Sequence, residues 1–103
     1  MKAFISSLMI LSALLVASNT QAASIYAGQA TAAAVCSQCH GVRKQSQGSI
    51  FPNLAGKDAS YLKTALKQYR DKTRLSEVMN NIAASLSDKD ISNVASYYAR
   101  LKP

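Results

Sequence analysis

Apolar residues recur at helical spacing along this 103-residue chain, and no segment alternates apolar and polar residues as a half-buried strand would. The first predicted helix covers residues 24–39 and has Gly28 near its middle. A loop with several glycines and a proline follows over residues 41–56. Asp58 or Ser60 can then cap the second helix, which continues to about residue 70 or 72.

Two further helices complete the pattern. The third is predicted over residues 76–86, with Ser76 as its possible cap. The fourth begins at Ser87, which is placed to cap it, and Asp90 stands at the position that closes a capping box. Its apolar residues continue at helical spacing to Leu101. The sequence therefore predicts an all-α domain of about four short helices.

The N-terminal segment has a different character. A basic start precedes an apolar run over residues 3–17, and small residues lead up to Ala22. This order is typical of a secretory signal peptide, and it predicts cleavage after residues 1–22 and a mature domain of residues 23–103. An uncleaved membrane anchor is the alternative, although the run is shorter than the ~20 residues that span a bilayer. No later segment is apolar enough to cross a membrane.

Cys36, Cys39 and His40 form the pattern C-x-x-C-H, a c-type haem attachment signature. Two thiols on one helical turn can each add to a vinyl group of the same porphyrin, and the adjacent imidazole can then bind the iron. A disulfide, half of a zinc site and a thioredoxin-like pair are the alternatives. The chain has no other cysteine or histidine to complete a zinc site, and no strand to build a thioredoxin unit. We therefore expect one covalently bound haem c.

The second axial ligand of the iron decides what such a haem can do. Met1 and Met9 would leave with the signal peptide, so Met79 is the one methionine of the mature chain. A thioether ligand closes the iron and favours electron transfer, whereas an open iron binds small molecules. Most lone methionines simply fill a core, and that alternative applies to Met79 as well.

The net charge is strongly positive. The 12 Lys and Arg of the chain include Lys2, so the mature chain keeps 11 against 5 acidic residues. No nucleic-acid motif accompanies this charge, and an exported protein rarely meets DNA. We therefore expect an acidic protein partner, which Arg43, Lys44 and Lys57 could steer.

The mature chain resembles the small class I c-type cytochromes of bacterial periplasms, both single-haem forms and the halves of tandem dihaem forms. The resembling segments are Cys36-Ser37-Gln38-Cys39-His40-Gly41, Phe51-Pro52-Asn53-Leu54-Ala55-Gly56, Tyr61-Leu62, Tyr69-Arg70, residues 74–79, residues 86–91 and Ala95-Ser96-Tyr97-Tyr98. The resemblance implies a cytochrome c-like fold wrapped round one covalently attached haem. It implies Cys36 and Cys39 as attachment points, with His40 and Met79 as axial ligands.

The resemblance also implies contacts outside the iron ligands. The backbone carbonyl of Pro52 would accept the Nδ1 hydrogen of His40 and orient its ring. Tyr97 or Tyr98 would pack over the first helix near Gly28. Separately, an arginine at position 70 or 74 could pair with a haem propionate, although a solvated helix end explains either one equally well.

These observations favour a periplasmic one-electron carrier that docks to redox protein donors and acceptors with acidic surfaces, without nucleic acid. No general base, nucleophile or substrate pocket is evident apart from the haem, so the chain is not predicted to be an enzyme. One alternative is a haem-based sensor of small ligands in which Met79 is displaceable. The other is the cytochrome subunit of a larger redox complex.

Overall fold

The structure is a computed structural model, and it describes residues 24–43 and 48–103. The predicted signal peptide, residues 1–22, and Lys44 lie outside the described residues. The described part contains helices and no strand, which confirms the predicted all-α class. The helices are α1 (residues 24–40), α2 (Ala59–Asp71), α3 (Glu77–Ala84) and α4 (Asp88–Ala99). None of the described helices is long and apolar enough to cross a membrane.

Helix α1 ends one residue later than predicted and is not α-helical throughout. Ala32–Cys36 forms a π turn, in which the N–H of Ser37 donates to the carbonyl of Ala32 five residues earlier. Such a turn absorbs an extra residue and so changes which side of the helix the following residues face. Gly41 then ends the helix with a φ of 76°, a conformation that favours glycine.

The other three helices begin where the sequence predicts. Asp58 caps α2 by accepting from the backbone N–H of Tyr61, at 3.1 Å. Ser76 caps α3, and Ser87 caps α4 in a complete capping box with Asp90. Each cap supplies an acceptor to an otherwise unpaired N–H and stabilises the helix by about 1 kcal/mol.

The core forms where α1, α2 and α4 meet. Its buried members are Ala32, Leu62, Val94, Ala95, Tyr97 and Tyr98. Helix α2 also packs against α3, so it stands at the centre of the described helices. Because α4 supplies four of these six side chains, most of the core depends on its position.

Helix α4 is tied to the chain that follows His40. The Tyr98 hydroxyl donates to the carbonyl of Gly41 at 2.5 Å, and the Tyr97 hydroxyl donates to the carbonyl of Val42 at 2.7 Å. These bonds join segments more than fifty residues apart in sequence. They fix the end of α1, and with it the C-x-x-C-H segment, relative to the core.

Candidate functional site

A cavity of about 450 Å³ lies among the helices, and most of its lining is apolar. Its volume is within the range of about 300–1,000 Å³ that is usual for ligand and cofactor sites. All four helices and the loop before α2 contribute to it. The aliphatic side chains in its wall are Val35, Leu54, Leu62, Ala65, Leu66, Val78, Ile82, Leu86, Val94 and Ala95.

The five residues predicted to attach the haem, to bind its iron or to orient His40 all line this one cavity. Cys36, Cys39 and His40 reach it from the last turns of α1, Pro52 from the loop and Met79 from the first turn of α3. These three stretches are separated in sequence, so only the tertiary fold brings them together.

His40 is buried and its ring is held from two sides. Nδ1 lies 2.7 Å from the carbonyl oxygen of Pro52, and the Phe51 ring stands edge-on with its centroid 6.2 Å away. Because a carbonyl oxygen can only accept, Nδ1 carries the hydrogen in this bond. The neutral imidazole then keeps the lone pair of Nε2, which is the atom available to a metal.

Met79 is held through its backbone. Its N–H donates to the Oγ of Ser76 at 3.3 Å, so the residue sits in the capped first turn of α3. The side chain is half-buried and lines the cavity. A thioether has no proton to lose, so it can offer its sulfur lone pair to a soft or borderline metal at any pH.

The inner part of the cavity disfavours charge. Burial raises the pKa of the Cys36 thiol to about 11, although the neighbouring Tyr98 hydroxyl opposes the shift. Burial is also the main cause that raises the pKa of Tyr98, and the charge of Cys36 adds to it. Tyr98 therefore stays protonated near neutral pH and can keep its hydrogen bond to Gly41.

Among the described residues that line the cavity, Lys57 and Arg74 carry formal charge. The Arg74 guanidinium lies 5.5 Å from the centroid of the Tyr69 ring, and its Nε donates to Gln68 at 3.2 Å. Arg70 does not line the cavity, because it pairs with Asp88 at 2.7 Å. Of the two arginines considered from the sequence, only Arg74 reaches the cavity.

The steering residues suggested by the sequence do not all lie at this cavity. Lys57 lines it and is exposed, whereas Arg43 lines a separate groove beside Tyr26 and Arg100. Sequence reasoning also assigned no role to Phe51 as a neighbour of the His40 ring. Its position directly before Pro52 is the one signal that could have indicated that role.

The donor set fits a haem better than a bare ion. No group of three or more His, Cys, Asp or Glu able to hold a metal occurs within residues 24–43 and 48–103. The zinc alternative therefore has no ligand set in this part of the chain. One imidazole, one thioether and two thiols round an apolar cavity are instead the chemistry that a covalently attached haem requires.

Comparison with known proteins decides the family. Residues 23–97 match the family model described as cytochrome c oxidase, cbb3-type, subunit III. The chain belongs to the c-type cytochrome family. As a member of that family this cytochrome binds haem c and transfers electrons, which confirms the predicted electron carrier that is not itself an enzyme.

The relatives of this cytochrome include single-domain and larger proteins. It is 42% identical over 67 residues to cytochrome c-554(548) of Halomonas halodenitrificans, which covers 62% of this chain and 81% of that one. It is 40% identical over 76 residues to cytochrome c4 of Pseudomonas aeruginosa, covering 74% of this chain and 37% of that one. These matches confirm the resemblance to small class I cytochromes and to one half of a dihaem form.

A third relative carries the name of an enzyme complex. The cytochrome subunit of sulfide dehydrogenase from Chlorobaculum tepidum is 33% identical over 66 residues, covering 64% of this cytochrome and 59% of that subunit. This cytochrome thus spans most of one relative, over half of another and about a third of cytochrome c4.

Proposed function

We propose that this cytochrome is a periplasmic one-electron carrier with one covalently bound haem c. Cys36 and Cys39 would form the two thioether bonds, and His40 and Met79 would be the axial ligands. When bound, this group supplies an Fe(III)/Fe(II) couple. The observation that carries the proposal is that all four side chains line a single apolar cavity of about 450 Å³.

The contacts of His40 support its role as a ligand. Its bond to the Pro52 carbonyl fixes both the tautomer and the orientation of the ring, and it raises the donor strength of Nε2. Little ring movement is then needed when the charge of the site changes. A fixed ligand of this kind suits electron transfer, which is faster when the site reorganises less.

Met79 and the apolar wall would complete the site. A thioether in place of a second nitrogen ligand raises the reduction potential, and a filled sixth position keeps small ligands out. The aliphatic lining keeps water away from the centre of the cavity. Both effects favour a carrier over a sensor of small ligands.

Two charged residues line the cavity. One could bind a propionate of the haem, and the other could help a partner protein to dock. Arg74 is half-buried and reaches the cavity, so its fork of donors is placed to bind a haem propionate. Lys57 is exposed at the same cavity and could attract an acidic redox partner. Export to the periplasm rests on the predicted signal peptide over residues 1–22.

A visible spectrum tests the proposal directly. Protein made with its signal and with haem-attachment machinery should give a pyridine haemochrome typical of two thioether bonds. Its oxidised form should show the long-wavelength Met–Fe(III) charge-transfer band. Met79→Ala should abolish that band and lower the potential, whereas Leu75→Ala, at a position 84% exposed, should change neither. Absence of the band in the wild type, with ready binding of carbon monoxide, would favour the sensor instead.

The cytochrome subunit of a larger redox complex is the second candidate. The relative from Chlorobaculum tepidum is named as such a subunit. Two aliphatic side chains, Ile50 and Leu75, are 90% and 84% exposed, so they are the residues to test as contacts with such a partner. Purification from periplasm and from membranes distinguishes the two. A carrier should elute alone, whereas a subunit should co-elute with a partner and lose it on Leu75→Ser substitution.

A further inference from the structure

The short connection between α2 and α3, residues 72–76, carries the chain to Met79. It has little apolar anchorage, since Leu75 in its middle is 84% exposed. Its first residue, Lys72, adopts the left-handed conformation with a φ of 65°. Hydrogen bonds therefore carry much of its anchorage. The Gln68 carbonyl accepts from the N–H groups of Thr73 and Arg74, and the Arg74 side chain also lies over the Tyr69 ring.

One side chain adds three more bonds, two to the connection and one to the end of α2. The Asn80 Nδ2 donates to the carbonyl of Tyr69 at 2.7 Å and to the carbonyl of Arg74 at 2.9 Å. Its Oδ1 accepts from the backbone N–H of Ser76 at 3.0 Å. The amide uses both donor hydrogens and one acceptor site, and a flipped amide would set its oxygen against two carbonyls.

The three partners of Asn80 mark three parts of the cavity wall. Tyr69 is in the last turn of α2, Arg74 is in the connection and Ser76 is the cap of α3. All three line the cavity, but Asn80 does not. Asn80 thus stands behind the wall and joins the helix on one side of the connection to the helix on the other.

The chain of contacts continues to Met79. The N–H of Ser76 is held by Asn80, and the Oγ of Ser76 accepts from the N–H of Met79 at 3.3 Å. The N–H of Asn80 itself donates to the Ser76 carbonyl at 2.7 Å. Ser76 and Asn80 therefore form a reciprocal pair round the first turn of α3, with Met79 between them.

We propose that Asn80 is a positioning residue that holds Met79 in place as the sixth ligand, by fixing the connection between α2 and α3. The inference rests on the proposed ligand role of Met79. Without the Asn80 bonds, the cap and the connection would move more freely, and the thioether would leave the iron more often. The protein would then bind external ligands more tightly while its helices remained intact.

Imidazole binding to the oxidised holoprotein measures this directly, because imidazole competes with Met79 for the sixth position. Asn80→Asp is nearly isosteric and keeps the acceptor for the Ser76 N–H, but it replaces both donated bonds by oxygen–oxygen repulsion. Two lost bonds should raise the apparent imidazole affinity by roughly tenfold or more. The charge-transfer band should weaken, while far-ultraviolet circular dichroism at the same temperature should show full helicity.

Asn81→Asp is the matched control. It adds the same charge to the same helix at the next position, where the side chain is exposed. Its imidazole affinity should stay within about twofold of the wild type, since surface substitutions have small effects. Asn80→Ala removes all three bonds without adding charge, so it should also raise the affinity. It serves as the test variant if Asn80→Asp does not accumulate as holoprotein.

The outcomes separate the inference from the function on which it rests. A wild type with the charge-transfer band and an unchanged imidazole affinity in both Asn80 variants would overturn the role of Asn80 and leave Met79 as the ligand. A rise of equal size in Asn81→Asp would also overturn it. A wild type without the band, unaltered by Met79→Ala, would refute the ligand role of Met79 and the inference with it.

Discussion

Gly28 in α1 lies directly against the backbone carbonyl of Asn93 in α4. A Cβ atom at position 28 would stand 2.1 Å from the Asn93 oxygen and 2.9 Å from the Cβ of Tyr97. The backbones of the two helices therefore touch at this point, and no side chain fits between them. Of the two tyrosines considered from the sequence, it is Tyr97 that packs over Gly28.

We expect Gly28→Ala to destabilise the holoprotein by about 1–3 kcal/mol, because overpacking forces the helices apart. The sign of the stability change distinguishes the two cases, since in an exposed helix the same substitution stabilises by up to about 1 kcal/mol. Thermal unfolding followed at the haem absorption band measures it. The exposed Ala27→Gly provides the opposite substitution one residue away, and a more stable Gly28→Ala would contradict the close approach.

The hydroxyls of Tyr97 and Tyr98 should each stabilise the fold. Removal of one as Tyr→Phe leaves a part-buried carbonyl at Val42 or Gly41 without its donor, at a cost of about 1–2 kcal/mol. Denaturant unfolding should show this loss for each variant. Tyr26→Phe is the control, because Tyr26 is 73% exposed and should change stability by less than about 0.5 kcal/mol.

Lys72 offers a stabilising change. It ends α2 in the left-handed conformation, which costs a side chain about 1–2 kcal/mol that glycine avoids. Glycine also gains entropy in the unfolded chain, which offsets part of this saving, so we expect Lys72→Gly to raise the free energy of unfolding by up to about 1 kcal/mol. Lys67→Gly, within the same helix, should lower it by about as much. A loss of stability at both positions would argue against the left-handed cap.

The ion pair of Arg70 and Asp88 should make stability depend on pH. The Arg70 guanidinium lowers the pKa of the Asp88 carboxyl below its ordinary 3.8. Since the folded pKa is below the unfolded one, the pair stabilises above the unfolded pKa, and this is lost as pH falls through the folded pKa. Asp88→Asn should therefore be slightly less stable than the wild type near neutral pH and equal to it in strong acid.

Arg70, the other member of the ion pair, supplies the control for that experiment. In an Arg70→Met background, Asp88→Asn should have a smaller effect near neutral pH, because the largest cause of the lowered pKa is gone and only the charge of Lys67 remains. Denaturant midpoints of the four proteins complete the cycle. An effect of Asp88→Asn that is undiminished without Arg70, or that grows in acid, would show that the carboxylate acts mainly through another contact.

Removal of the haem should unfold most of the chain. Without the haem, the apolar wall of the 450 Å³ cavity loses its packing partner, and a small domain has only about 5–15 kcal/mol of stability to lose. Cys36→Ser combined with Cys39→Ser prevents attachment, so we expect weak helical circular dichroism and no cooperative melting. A native-like spectrum from the haem-free double variant would show that the helices pack without the cofactor.

The sequence predicted the parts of this cytochrome that depend on local interactions. The caps at Asp58, Ser76 and Ser87 lie where their short side chains can reach a nearby N–H, and such contacts depend on neighbours in sequence. The helical class follows from apolar spacing for the same reason. The π turn at Ala32–Cys36 escaped prediction, because an extra residue in a turn leaves alanine-rich periodicity unchanged.

The tertiary structure decided what depends on contacts between distant segments. From the sequence, Arg70 and Arg74 were equal candidates for the cavity, and the fold engages Arg70 with Asp88 and leaves Arg74 in the cavity wall. Likewise Asn80 looks like any polar residue of a helix until its three backbone partners are seen. Side-chain hydrogen bonds between one helix and another, or between a helix and a loop, leave no periodic signal, so they could not be predicted.

The sequence by itself determined that two thiols and an imidazole lie close together, since all three stand within five residues of the chain. The sequence could name Met79 and Pro52 as candidates, but only the fold brings them to the same cavity as these groups, because their segments are separated along the chain. Covalent spacing fixes the first set of groups whatever the fold. The second set exists only when the core has formed.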